Sequence, residues 1–118
     1  MNNIYFLFLS DVSSNSLIIE KPQRERSKFN KTRKVVLERL KKIDLGPMES
    51  IDIKIDEKKL YCTAFRNTGE LLLCVFYHPL QVKSYVVRQM LKEIIKKVSG
   101  LSKNYGVSFI MNSIKYLN

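Results

Sequence analysis

Tryptophan is absent from this chain, histidine occurs once and cysteine twice. Each shortage excludes something. Two thiols cannot build a disulfide framework. With a single histidine beside them, they also lack the paired-ligand spacing of a structural zinc site. Gly46, Gly69, Gly100 and Gly106 stand far apart, so there is no glycine-rich loop to cradle a phosphate. The longest apolar run, Ile4 to Leu9, is far short of the roughly 20 residues a spanning helix needs. No basic segment precedes that run and no convincing small-residue cleavage site follows it, so a signal peptide is not expected. Acidic residues number 11 against 21 Lys and Arg, and they form no paired-carboxylate site.

What is present is enough for one domain spanning residues 1–118, with 45% apolar residues and a core that needs no covalent staple. The net charge of +10 is unevenly placed: Lys21 to Lys42 holds ten basic and two acidic residues, which leaves only +2 for the remainder. The charge therefore marks a segment and not the whole surface.

The most informative stretch runs from Lys58 to Val98. Leu60 to Phe65 and Leu71 to Tyr77 are apolar runs separated by Arg66-Asn67-Thr68-Gly69-Glu70. They predict a hairpin with a three-residue loop, Asn67 to Gly69, in which Gly69 takes the left-handed conformation of a bulge. Pairing Arg66 with Glu70 sets Tyr61 opposite Val75 and Cys62 opposite Cys74. Both faces of this hairpin are apolar, so both need cover. Ile4 to Leu9 reads as a central strand buried on two sides. After a turn at Asp11 to Ser16, Leu17-Ile18-Ile19 reads as its hairpin partner, ending near Pro22. Ile51, Ile53 and Ile55 alternate with Asp52, Lys54 and Asp56, the pattern of a half-exposed edge strand over Ser50 to Asp56.

Three stretches carry helical periodicity. Lys28 to Ile43 places Phe29, Val36, Leu40 and Ile43 on one side, with Leu37 beside them. Lys31, Lys34, Glu38, Lys41 and Lys42 fall on the other. Ser27 is the expected cap, and Gly46-Pro47 the stop. After His78-Pro79, a second helix runs to about Ser99 on Leu80, Val87, Leu91, Ile94, Val98 and Leu101. Val107 to Leu117 forms a third. The order β-β-α-β-β-β-α-α predicts an α+β domain. It has a five-stranded antiparallel sheet, the first strand beside the Leu71 strand, one helix on one face and two on the other.

This order and these patterns resemble the longin-like domain family of trafficking proteins, over about residues 3 to 117. The resemblance is carried by Leu60-Tyr61-Cys62-Thr63-Ala64-Phe65-Arg66-Asn67, Leu71-Leu72-Leu73-Cys74-Val75 and His78-Pro79-Leu80-Gln81-Val82. These are similar to the family's strand, Asn-containing turn, apolar strand and Pro-containing approach to the second helix. Two departures stand out: Phe76-Tyr77 replaces the acidic residue often found before that turn, and no SNARE helix follows before Asn118. A free-standing longin-like, adaptor small-subunit-like or sedlin-like subunit is the expectation. The related roadblock fold usually begins with a helix, whereas this chain begins with a strand. The resemblance implies a non-catalytic module that binds proteins. Its implied partners are a small GTPase, a coat or a tethering subunit, in a homo- or heterodimer, in the cytoplasm or peripheral at a membrane. No cofactor or metal is implied.

Chemistry finds little support beside this. His78 and Cys74 are four residues apart along an extended segment, about 13 Å, too far for a nucleophile and its base without a sharp bend. The reading favoured for Cys62 and Cys74 is reduced core thiols. The surface feature singled out is the basic face of Lys31, Lys34, Lys41 and Lys42, with Lys21, Arg24 and Arg26 just before it. A solvated helix face is its plainest explanation; an anionic membrane or an acidic protein comes next. The edge strand at Ile51, Ile53 and Ile55 is a second candidate contact, by pairing with a partner strand. Alternatives to the interaction module are a basic nucleic-acid-binding domain, a roadblock-like GTPase-regulatory subunit and a small-ligand sensor. Nucleic acid ranks low because the aromatic residues fall in strands, not among the basic ones.

Overall fold

All seven residues of Leu71–Tyr77 are buried, and so are seven of the eight residues of Ile4–Asp11. A strand without a wet face must lie inside a sheet with a layer on each side. The computed structural model, which describes residues 4–13, 16–55, 59–98 and 100–114, has that arrangement. Its elements are β1 (Ile4–Asp11), β2 (Ser16–Lys21), α1 (Arg26–Lys41), β3 (Ser50–Ile55), β4 (Leu60–Arg66), β5 (Leu71–Tyr77), α2 (Ser84–Val98) and α3 (Lys103–Ile114). The five strands form one antiparallel sheet in the order β2-β1-β5-β4-β3. The predicted class, element order and central β1–β5 pair are all present.

Alternation along the strands sends the two sets of side chains to two separate cores. Phe6, Phe8, Cys62, Ala64, Leu72, Cys74 and Phe76 meet Phe29, Val36 and Leu40 of α1. Phe6 stacks on Phe29 at 5.1 Å between ring centres, and Phe8 meets Phe76 edge-on at 5.7 Å. On the other face Leu7, Leu9, Phe65, Leu71, Leu73, Val75 and Tyr77 meet Val87, Leu91, Ile95 and Val98 of α2 and Ile110 of α3.

The hairpin register differs from the prediction by two residues. Tyr61 faces Tyr77, Cys62 faces Phe76 and Ala64 faces Cys74, so the two cysteines are diagonal neighbours and not opposite each other. An even slip keeps every side chain on its predicted face. The cause is the turn. Gly69 is not in the left-handed region, where Gly100 alone among the described glycines lies, at φ +85°. The buried Asn67 side chain organises the turn instead: its Oδ1 accepts the N–H groups of Gly69 and Leu71 at 2.8 and 3.0 Å. The Asn67 N–H bonds the Leu71 carbonyl at 3.0 Å. This is the Asx chemistry that makes Asn a turn residue.

Helix starts also move. A 3-10 turn over Gln23–Glu25 leads straight into α1, so Ser27 lies inside the helix and no side chain caps it. Ile43, assigned to the apolar face, falls beyond the end of α1 and is half-buried. At His78 the backbone carbonyl accepts the N–H groups of Gln81 and Val82, and the ring Nδ1 accepts that of Leu80 at 3.1 Å. This closed turn delays α2 to Ser84 and leaves Leu80, assigned to the apolar face, 86% exposed. Leu101 likewise lies outside a helix and is exposed. The third helix begins at Lys103, four residues earlier than predicted. Asp56, Ser99 and the predicted helical positions 115–117 lie outside the described residues.

In the loop after α1, the Glu49 side chain folds over Gly46. Glu49 Oε1 accepts the Gly46 N–H at 2.7 Å, and a Cβ on Gly46 would stand 2.2 Å from that oxygen. Arg66 fixes the same loop by donating to the Leu45 carbonyl at 2.7 Å.

Asn67→Ala leaves the buried Leu71 N–H without its side-chain acceptor and is expected to destabilise the domain by about 1–3 kcal/mol. Gly69→Ala, at a position with no positive φ, is expected to cost less than about 0.5 kcal/mol. Urea unfolding of the two variants in parallel separates the turn residue that matters from the one that does not.

Candidate functional site

The 16 residues of α1 divide by face. Phe29, Thr32, Val36 and Leu40 are buried, while Lys31, Lys34, Lys41 and, just past the helix end, Lys42 are all exposed. Not every cation of the segment shares that surface. Glu20 pairs with Phe8 across the β1–β2 ladder, which aims its side chain at the α1 layer. There it is buried and meets Arg33 Nε at 2.8 Å and Arg26 Nε at 3.8 Å. The Arg33 contact is off the N–H direction, an ion pair and not a directed hydrogen bond. The sheet thus holds Arg33 inward and leaves the lysines outward. Lys41 also contacts Glu38 at 3.0 Å, a pair exposed enough to contribute little.

At its C-terminal end the lysine face meets a cleft of about 380 Å³. Leu37 and Leu40 of α1, Leu72 of β5 and Val12 after β1 supply apolar walls. Lys41, Lys42 and Arg66 bring cations to it, against the single carboxylate of Asp44. Arg66 is held by two neutral carbonyls, those of Leu45 and Gly69, so its charge is not cancelled there. Sequence reading found Lys41 and Lys42 but not this cleft, because its walls come from three separate segments.

The β3 edge is open along one side, but the predicted contact residues point elsewhere. Ile53 is 7% exposed, and Ile51 and Ile55 pack against the α1-side core. A strand added at this edge would meet backbone, with Asp52 and Lys54 on the opposite face. Part of that edge is already taken, since Arg39 donates to the Lys54 carbonyl at 3.0 Å. Asp52 is also committed. Its carboxylate pairs with Arg88 of α2 and accepts the Thr63 hydroxyl at 2.7 Å. Thr63 Oγ1 lies 2.8 Å from the Tyr77 hydroxyl. Threonine has one hydroxyl proton, which it donates to Asp52, so Tyr77 donates to Thr63. This chain ties edge strand, inner strands and α2 together, and periodicity alone does not reveal it.

Cys62 and Cys74 are fully buried free thiols. Burial pushes the Cys74 thiol well up, and the Cys62 thiol beside it adds to the shift. Cys74 is therefore a protonated thiol near neutral pH. His78 spends Nδ1 on its own turn. Among the described residues no group of three or more His, Cys, Asp or Glu is placed to hold a metal ion, and no helix is long and apolar enough to cross a membrane. No family model, curated protein or solved structure matches the chain.

Burial raises the Tyr77 hydroxyl from 10.0 to about 12, with the Asp52 carboxylate adding to it. The unfolded chain therefore loses this proton first. Its contribution to stability is complete below pH 10 and is lost as pH rises toward 12. Tyr77→Phe is expected to flatten the fall in the urea midpoint between pH 9 and pH 11.5. A profile parallel to that of the parent would remove Tyr77 as the cause.

Glu20→Ala leaves Arg33 half-buried without its carboxylate and is expected to destabilise by about 2–4 kcal/mol. Glu38→Ala, at an exposed pair, is expected to cost less than about 0.5 kcal/mol. Thermal melts of both, compared at one salt concentration, check the contrast.

Proposed function

We propose that this chain is a non-catalytic protein-interaction module of the longin-like kind. It works with a small GTPase, a coat or a tethering subunit, in the cytosol or at the cytosolic face of a membrane. The observation that carries the reading is the sheet order β2-β1-β5-β4-β3 with one helix on one face and two on the other. That is the architecture expected from the longin-like resemblance. The placement of side chains agrees with it. The thiols are buried and the histidine is turned to backbone, while the outward chemistry is a row of lysines on α1. Such a row speeds encounter with an acidic partner and is screened by salt.

The lysine face is the contact, and the β3 edge is secondary because Arg39 occupies one of its carbonyls. A stable association needs about 800 Å² from each partner. The exposed face of α1 and the cleft at its end form one continuous candidate for part of that area.

The test is capture by the tagged protein from its source lysate, with and without nuclease, followed by identification of what is retained. The expected result is a GTPase, coat or tethering subunit that survives nuclease and falls at least tenfold when Lys31, Lys34, Lys41 and Lys42 are all changed to Glu. Retention of nucleic acid and its passengers, lost with nuclease, would replace this reading by a basic nucleic-acid-binding domain.

A further inference from the structure

From the cleft at the end of α1 we infer a peptide-docking site. Its ligand is a short acidic segment carrying one bulky apolar side chain at an end. This inference rests on the proposed reading that the α1 face meets a protein, and it names the chemistry of that contact.

Three observations select this ligand. First, the cleft is amphipathic: Leu37, Leu40, Leu72 and Val12 form its walls, while Lys41, Lys42 and Arg66 outnumber Asp44 in charge. An apolar anchor placed there covers carbon surface and brings flanking carboxylates to three cations. Arg66 is already rigid, held at 2.7 Å on the Leu45 carbonyl, so little ordering is required of it. Second, the volume of about 380 Å³ lies at the small end of ligand sites, and the cleft is partly open to solvent. It has room for one or two side chains rather than for an enclosed metabolite.

Third, the lysine row leads away from the cleft. Lys31 and Lys34 lie on the same exposed face as Lys41 and Lys42. From Lys31 to Lys42 the helix rises about 16 Å, a distance spanned by about five extended residues. A peptide anchored in the cleft therefore passes four lysines within about seven or eight residues. A flat anionic membrane would read the lysines but could not use a concave apolar wall, which is why the peptide is favoured.

The predicted division of labour is that the anchor sets residence and the carboxylates set the rate of encounter and its salt dependence. The probes are fluorescent eight-residue peptides with four Asp or Glu and a Phe or Leu at either end. Controls replace the anchor by Ala, or the acids by Asn and Gln. Fluorescence polarisation should show a preference of at least tenfold for the anchored acidic peptide in one orientation, shrinking with salt.

Val12 is 40% exposed, so Val12→Trp fills the cleft mouth without opening a core. It should abolish the anchor preference and leave the weaker charge-dependent binding in place. Lys41→Glu with Lys42→Glu should reduce both. Circular dichroism and a thermal melt establish that each variant is folded.

Equal affinity for the anchored and Ala peptides, insensitivity to Val12→Trp, or no binding by any peptide overturns the inference. Attachment to phosphatidylserine vesicles that Val12→Trp leaves unchanged, without peptide binding, assigns the face to a membrane instead. If peptides fail while lysate capture still depends on the four lysines, only this inference falls. If capture is also insensitive to them, the reading beneath it falls too.

Discussion

Burial of β1 and β5 on both faces is the constraint from which the rest of this structure follows. Two adjacent strands with almost no polar side chains cannot meet water on either side. The chain must therefore supply one layer of helix before the hairpin and another after it. α1 comes first and covers Phe6, Phe8, Leu72, Cys74 and Phe76; α2 and α3 follow and cover Leu7, Leu9, Leu73, Val75 and Tyr77. Since α1 has to present Phe29, Val36 and Leu40 inward, its remaining residues form an outer surface. Four of those residues are lysines, Lys28, Lys31, Lys34 and Lys41. The exposed charge is thus a by-product of where the apolar stripe lies, and any use made of it is built on that geometry.

Much of this was legible because apolar periodicity depends on which face a residue occupies, and faces survive small errors of alignment. The β4–β5 pairing shows why. A slip of two residues altered every partner, yet Phe65, Leu71, Leu73 and Val75 stayed on one side and Cys62, Ala64, Leu72 and Cys74 on the other. What was not legible depends on individual hydrogen bonds. Gly69 looked like the turn residue because glycine is the commonest way to reach a left-handed backbone. Asn67 instead organises the turn with its side-chain oxygen, a choice that composition cannot distinguish. His78 delayed α2 by the same kind of local contact, spending its carbonyl and its ring nitrogen on Leu80, Gln81 and Val82.

The candidate site divides along the same line. Lys31, Lys34, Lys41 and Lys42 could be placed on a solvent face by helical spacing alone. The cleft beside them could not, since Val12, Leu72 and Arg66 are brought to α1 only by tertiary packing. Nor could the inward turn of Arg33 toward Glu20, which separates a structural cation from its outward neighbours. The edge strand is the converse case. The isoleucines belong to the core side, and Asp52 of the polar set belongs to a bonded chain through Thr63 and Tyr77.

The two cysteines have a consequence for watching the molecule open. Both thiols lie in the layer beneath α1 and neither takes part in the layer beneath α2. An alkylating reagent can reach them when α1 lifts from the sheet, or when the whole domain unfolds. Proteins open in contiguous units of unequal free energy. The labelling rate of this thiol pair, set against amide exchange in β5, then distinguishes a sheet that has shed one helix from a sheet that has come apart.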